Sequence, residues 1–180
     1  MLISKAWVWG LALLACVHGS NLSAQSFGFF GGTSTLVGRS ADSARTGYHV
    51  GGFIEFAMAY RPLAIRAALE FQQTTGITAG PGQAASTDAP NVTSLSVEAV
   101  FRTPRLGVVH PYLLGSIGLY RFGGGPTLIA SNRDNHDNEF GAAVGIGGEI
   151  QLQRIRLFGE VHYHSIAGVQ ILPISVGVRF

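Results

Sequence analysis

After residue 24 this chain has no lysine, no cysteine and no tryptophan. Lys5, Cys16, Trp7 and Trp9, the only residues of their kinds, all fall before that point. Without thiols, the remainder can form no disulfide. Its positive charge rests on arginine alone, eleven Arg against ten acidic residues, so the net charge is near zero. No basic patch can be drawn, which excludes nucleic acid as a partner. Also missing is any apolar run of about eighteen residues, so no helix of this stretch can span a bilayer.

The first residues have a different character. Lys5 supplies a short positive region, residues 6–17 (AWVWGLALLACV) are apolar, and Gly19, Ser20, Ser23 and Ala24 are small. This reads as a secretory signal peptide over 1–24, cleaved after Ala24, with Gly19 as the second choice of site. Leu13-Leu14-Ala15-Cys16 is close to a lipoprotein signal, the competing reading, in which Cys16 would carry the lipid. Residues 25–180 then form one domain.

What that domain has is alternation. In the last ten residues, Leu172, Ile174, Val176, Val178 and Phe180 occupy every second place, with Pro173, Ser175, Gly177 and Arg179 between them. Period two marks a strand with two unlike faces. Seven more such segments can be drawn, at about 25–35, 47–58, 64–75, 91–102, 109–121, 138–152 and 155–166. Their connections alternate between tight (around Arg61-Pro62, 103–107 and Gln153-Arg154) and long or polar (36–46, 76–90, 123–137), with a short one near Ala167-Gly168. Tight turns on one rim and long loops on the other predict an eight-stranded antiparallel up-and-down transmembrane β-barrel.

Charge follows the same alternation. All six Glu (55, 70, 98, 139, 149 and 160) fall on the less apolar register, together with Arg66, Arg102, Arg156 and Arg179. All four Asp (42, 88, 134 and 137) fall in the long loops. The opposite register is almost uncharged, with Arg121 at a strand end as the exception. Lipid against the outer face explains this, since an ionised side chain at mid-bilayer costs roughly 2–4 kcal/mol. A soluble barrel of the lipocalin type would show the same alternation with its charges outside. Its surface would carry Lys and Asp as well, which these segments lack.

Residues 111–118 (PYLLGSIG), the Gly-rich 140–149 (FGAAVGIGGE) and the stretch from Phe158-Gly159-Glu160-Val161-His162-Tyr163 to Phe180 resemble the opacity-protein-like family of outer-membrane β-barrels. The resemblance covers most of residues 25–180 and implies the bacterial outer membrane. It also implies that Leu172, Ile174, Val176, Val178 and Phe180 are the signal read by the barrel-insertion machinery. The family mixes adhesins, structural envelope proteins and members of no assigned role.

Three stretches could carry chemistry. His162-Tyr163-His164-Ser165 invites comparison with outer-membrane lipid A deacylases, which pair Ser with His in a His-x-Ser-Asn pattern. Here His164 and Ser165 alternate to opposite faces, and no Asn follows. His162 and His164 share a face, but a zinc site would need His110 or His49 to converge from another strand. Residues 134–139 (DNHDNE) lack the spacing and central Gly of a calcium loop. Gly123-Gly124-Gly125-Pro126 has no phosphate-binding context. No catalytic residue, metal or cofactor is therefore assigned.

The assigned constellation is a lumen charge network: Glu55, Arg66, Glu70, Glu98, Arg102, Glu149, Arg156, Glu160, His162 and Arg179. The interior of an eight-stranded barrel is about wide enough for its own side chains, and charges buried there must pair. The expectation is a plugged lumen in a monomeric, non-enzymatic protein of the outer membrane. Its role would be structural or adhesin-like, through loops that meet an unidentified extracellular ligand. A narrow channel is the alternative, and a lipid-modifying enzyme ranks below it.

Overall fold

A computed structural model describes residues 25–37, 46–58, 62–74, 91–123 and 138–180. The signal peptide read over 1–24 and most of the three long loops, with all four Asp, lie outside these residues. Eight strands follow in order: β1 (Gln25–Val37), β2 (Thr46–Ala57), β3 (Leu63–Thr74), β4 (Asn91–Arg102), β5 (Val109–Gly123), β6 (Asn138–Leu152), β7 (Ile155–Ile166) and β8 (Val169–Arg179). Each pairs antiparallel with its sequence neighbours, and β8 returns to β1 to close the barrel. Strands β4, β6 and β7 have the limits that their alternation predicts. β1, β5 and β8 run two residues further at their loop-side ends, because pairing outlasts the apolar pattern there.

Closure links residues far apart in sequence. Cα partners followed once round the barrel run Ser26, Glu55, Arg66, Glu98, Ser116, Ala143, His164, Ile171 and then Leu36. The path ends ten residues above its start on β1 (36 against 26). With strands about 4.8 Å apart and a rise of about 3.3 Å per residue, that stagger tilts the strands roughly 40° from the axis. The ring is sealed near the tight-turn rim, where the Phe180 amide donates to the Phe27 carbonyl at 2.9 Å. The rings of Phe27 and Phe180 stack there with centroids 5.2 Å apart.

Two faces result. Phe29, Ile54, Leu95, Ile117, Val144 and Val176 project outward and are exposed, with similar residues around the whole circumference. Their partners in the alternation, including Glu55, Arg66, Glu98 and Glu160, are buried inside. Five inward rings are accommodated by inward glycines. Phe53 lies over Gly28, Phe30 over Gly51, Phe158 over Gly177, Tyr112 over Gly147 and Tyr120 over Gly141, each within 2.3–2.7 Å of where a Cβ would sit. The first four are direct cross-strand partners. The glycines in the strands thus make room for aromatic rings inside a narrow tube.

Candidate functional site

The lumen is layered, and it begins at the tight-turn rim with arginine. Arg102 ends β4, Arg179 ends β8 and Arg156 lies near the start of β7, so three strand ends deliver three guanidiniums to one rim. They converge on Glu149 and Glu55. Arg179 donates to Glu55 at 2.6 Å and pairs with Glu149 at 2.8 Å; Arg102 reaches Glu55 at 2.7 Å. Arg156, half-exposed, and Arg102 Nε both stand 3.7 Å from Glu149, and His110 stands 3.8 Å from it.

Above this ring Arg66 is the hub. Its side chain meets Glu160 at 2.7 Å, Glu55 at 3.3 Å and Glu98 at 3.4 Å. The guanidinium lies 4.1 Å from the centroid of the Phe53 ring, the geometry of a cation–π contact. Glu160 also accepts from the Tyr112 hydroxyl at 2.7 Å, and its second oxygen pairs with His162 at 3.0 Å. Such sharing answers the cost of desolvation, because Arg66, Glu55, Glu149 and Glu160 each meet more than one opposite partner.

Next comes a neutral polar layer. His49 is held between Ser34 (2.9 Å) and Ser175 (2.8 Å), and His164 pairs with the Tyr120 hydroxyl at 3.1 Å. The free space among Phe30, Arg66, Glu70, Glu98, His162 and Ser175 is about 10 Å³, at the threshold for a single water. At the loop rim Leu36, Val92, Tyr120, Ile166, Val169 and Ile171 pack into an apolar cluster, with Phe122 against it. That closure comes from the ends of β1, β5 and β7 and the starts of β4 and β8.

Nine of the ten residues assigned to the charge network are brought together. Glu70 is the departure: it points inward, yet its Oε1 is buried without a hydrogen-bond partner. It lies four residues above Arg66 on β3, at the level of the histidines, where no lumen arginine reaches. The contributions of Tyr112, Phe53, His49, Ser34 and His110 were not assigned from sequence. Tyr112 and Phe53 stood on the correct face, but their height relative to Arg66 depends on the stagger. Among the described residues no three His, Cys, Asp or Glu are grouped to hold a metal. On β8 and the residue after it, Ile174, Val176 and Phe180 face outward and exposed, with Leu172 and Val178 partly covered on the same register.

No protein-family model and no curated protein matches the sequence. Solved structures do match in fold. Neisserial surface protein A superposes with a TM-score of 0.63 at 14% identity, covering 86% of this chain and 95% of that one. A major outer membrane protein of Thermus thermophilus gives 0.53 at 14%, covering 87% and 99%. The outer membrane enzyme PagL gives 0.54 at 13%, again covering 87% and 99%. At such identities the likeness is one of fold alone. It agrees with the exposed apolar belt, which a water-soluble surface would not keep and which a membrane-spanning barrel requires. The chain is therefore a small eight-stranded transmembrane β-barrel of the bacterial outer membrane, the architecture that its resemblance to the opacity-protein-like proteins implies.

Proposed function

We propose that this protein is a closed outer-membrane scaffold that neither conducts solutes nor catalyses a reaction, and that it acts at the cell surface. The observation that carries this reading is the filled lumen: a three-tier plug of ion pairs, histidines and an apolar cluster, with space for about one water among its central charges. Solute passage would require several of these contacts to break together. The work then falls to the connecting segments 38–45, 75–90 and 124–137, rich in Gly, Ser, Thr, Asn and Asp. An adhesin-like role through polar contacts suits that composition. Absence of catalysis is favoured by His164 facing the lumen while Ser165 faces out, which separates the one Ser–His pair adjacent in sequence, and by the burial of His49 with Ser34 and Ser175 inside the lumen. PagL is an enzyme on the same fold, and the fold by itself does not carry its activity over.

The chain is read as a monomer, with Leu172, Ile174, Val176, Val178 and Phe180 as the signal for the insertion machinery. The test is single-channel conductance of the purified protein in a planar bilayer, with folding checked by a heat-dependent gel shift. Silence is the expected result. Steady openings from folded protein would overturn the reading and make small-solute passage the function.

A further inference from the structure

Arg121 is the one charged residue on the outward register of the described strands. It lies two residues from the loop-side end of β5 and is exposed. No ion pair links it to any described residue, and among the described residues no carboxylate shares its register. Its cross-strand partners are Thr93 on β4 and Asn138 on β6, so two neutral polar side chains flank the guanidinium. Directly below them, Leu95, Leu119 and Phe140 are partners of one another on the same face. All three are more than half exposed, at 58%, 54% and 62%. Cationic donors above an apolar row match a ligand with an anionic head and acyl tails.

The position decides which lipid. The joined ends of β2 and β3, β4 and β5, and β6 and β7, with the Phe27–Phe180 seam, lie at the opposite rim, so Arg121 stands at the headgroup level of the outer leaflet. An ionised side chain is tolerated on a lipid face only close to the interface. There a guanidinium can fork two donors onto phosphate oxygens. We propose that Arg121, with Thr93 and Asn138 beside it, is a docking point for a phosphorylated glycolipid of the outer leaflet. Leu95, Leu119 and Phe140 receive its acyl chains. This surface is distinct from the loops and from the lumen.

The test uses protein purified from the outer membrane, delipidated and placed in phosphatidylcholine nanodiscs with bisphosphorylated lipid A. Native mass spectrometry reads the fraction of protein that retains lipid A. Arg121→Gln should lower retention about fivefold, the worth of one basic residue at a charged membrane surface, and Arg121→Lys should recover part of it. The heat-dependent gel shift should be the same for all three proteins. Dephosphorylated lipid A should be held weakly, and equally, by wild type and Arg121→Gln. The proposal is overturned if Arg121→Gln retains lipid A like wild type. Equal retention of the dephosphorylated lipid, or displacement by inorganic phosphate, would overturn it too.

Discussion

Arg66 meets three carboxylates, more than any other arginine described in the barrel. It is 3% exposed, and Glu55, Glu98 and Glu160 all reach it within 3.4 Å while Phe53 covers one face. Removing one partner of a buried ion pair costs roughly 3–5 kcal/mol because the other charge is left uncompensated. Arg66→Ala should therefore destabilise the folded barrel by about that amount. Glu160→Ala should cost less, since Arg66 keeps two carboxylates, although Tyr112 and His162 lose their acceptor. Urea unfolding in lipid vesicles, followed by circular dichroism because no tryptophan lies beyond Trp9, gives the order. If Glu160→Ala proves the more damaging, Arg66 is not the hub.

Strands are shaped by what they place on each side. On β8, Gly177 sits where a Cβ would be 2.3 Å from the Phe158 ring and 2.4 Å from the Phe29 carbonyl oxygen, so Gly177→Ala forces β1 or the ring to move. Overpacking of this kind costs about 1–3 kcal/mol. Gly115, also in a strand, faces outward with nothing within 4 Å, and Gly115→Ala should stay within about 0.5 kcal/mol of wild type. Equal effects in the same urea titration would show that the rings do not need their glycines. The outward register has its own test. Val97, midway along β4, is 48% exposed to lipid, so Val97→Arg should cost about 2–4 kcal/mol, whereas Thr93→Arg near the rim should cost about 0–1 kcal/mol. A reversed gradient would place the bilayer elsewhere on the barrel.

For the whole molecule the decisive property is closure. A ten-residue stagger around eight strands gives a tube that its own side chains can fill, and the three tiers of the lumen use that width differently. Ion pairs anchor the tight-turn half, histidines with serine or tyrosine partners hold the middle, and apolar contacts close the loop rim. The expected electrical silence belongs to this scale, because no single residue makes the seal. A conducting state would need the apolar cluster and the Arg66 hub to yield together.

Alternation in the chain determined the eight strands, their antiparallel order and which face of each meets lipid. A period of two residues is local, and the cost of a charge in lipid makes the assignment of faces unambiguous. The inward placement of Glu55, Arg66, Glu98, Arg102, Glu149, Glu160 and Arg179 followed from the same rule. Their pairing did not. Glu55 meets Arg179 across 124 positions, and Arg66 meets Glu160 across 94, because the stagger sets the heights at which opposite strands face each other. The same stagger leaves Glu70 above the arginines and gathers Leu36, Val92, Ile166 and Ile171 into a seal that no short-range pattern announces. Which side each residue faces is written in neighbouring residues, whereas which residues meet depends on closing the sheet.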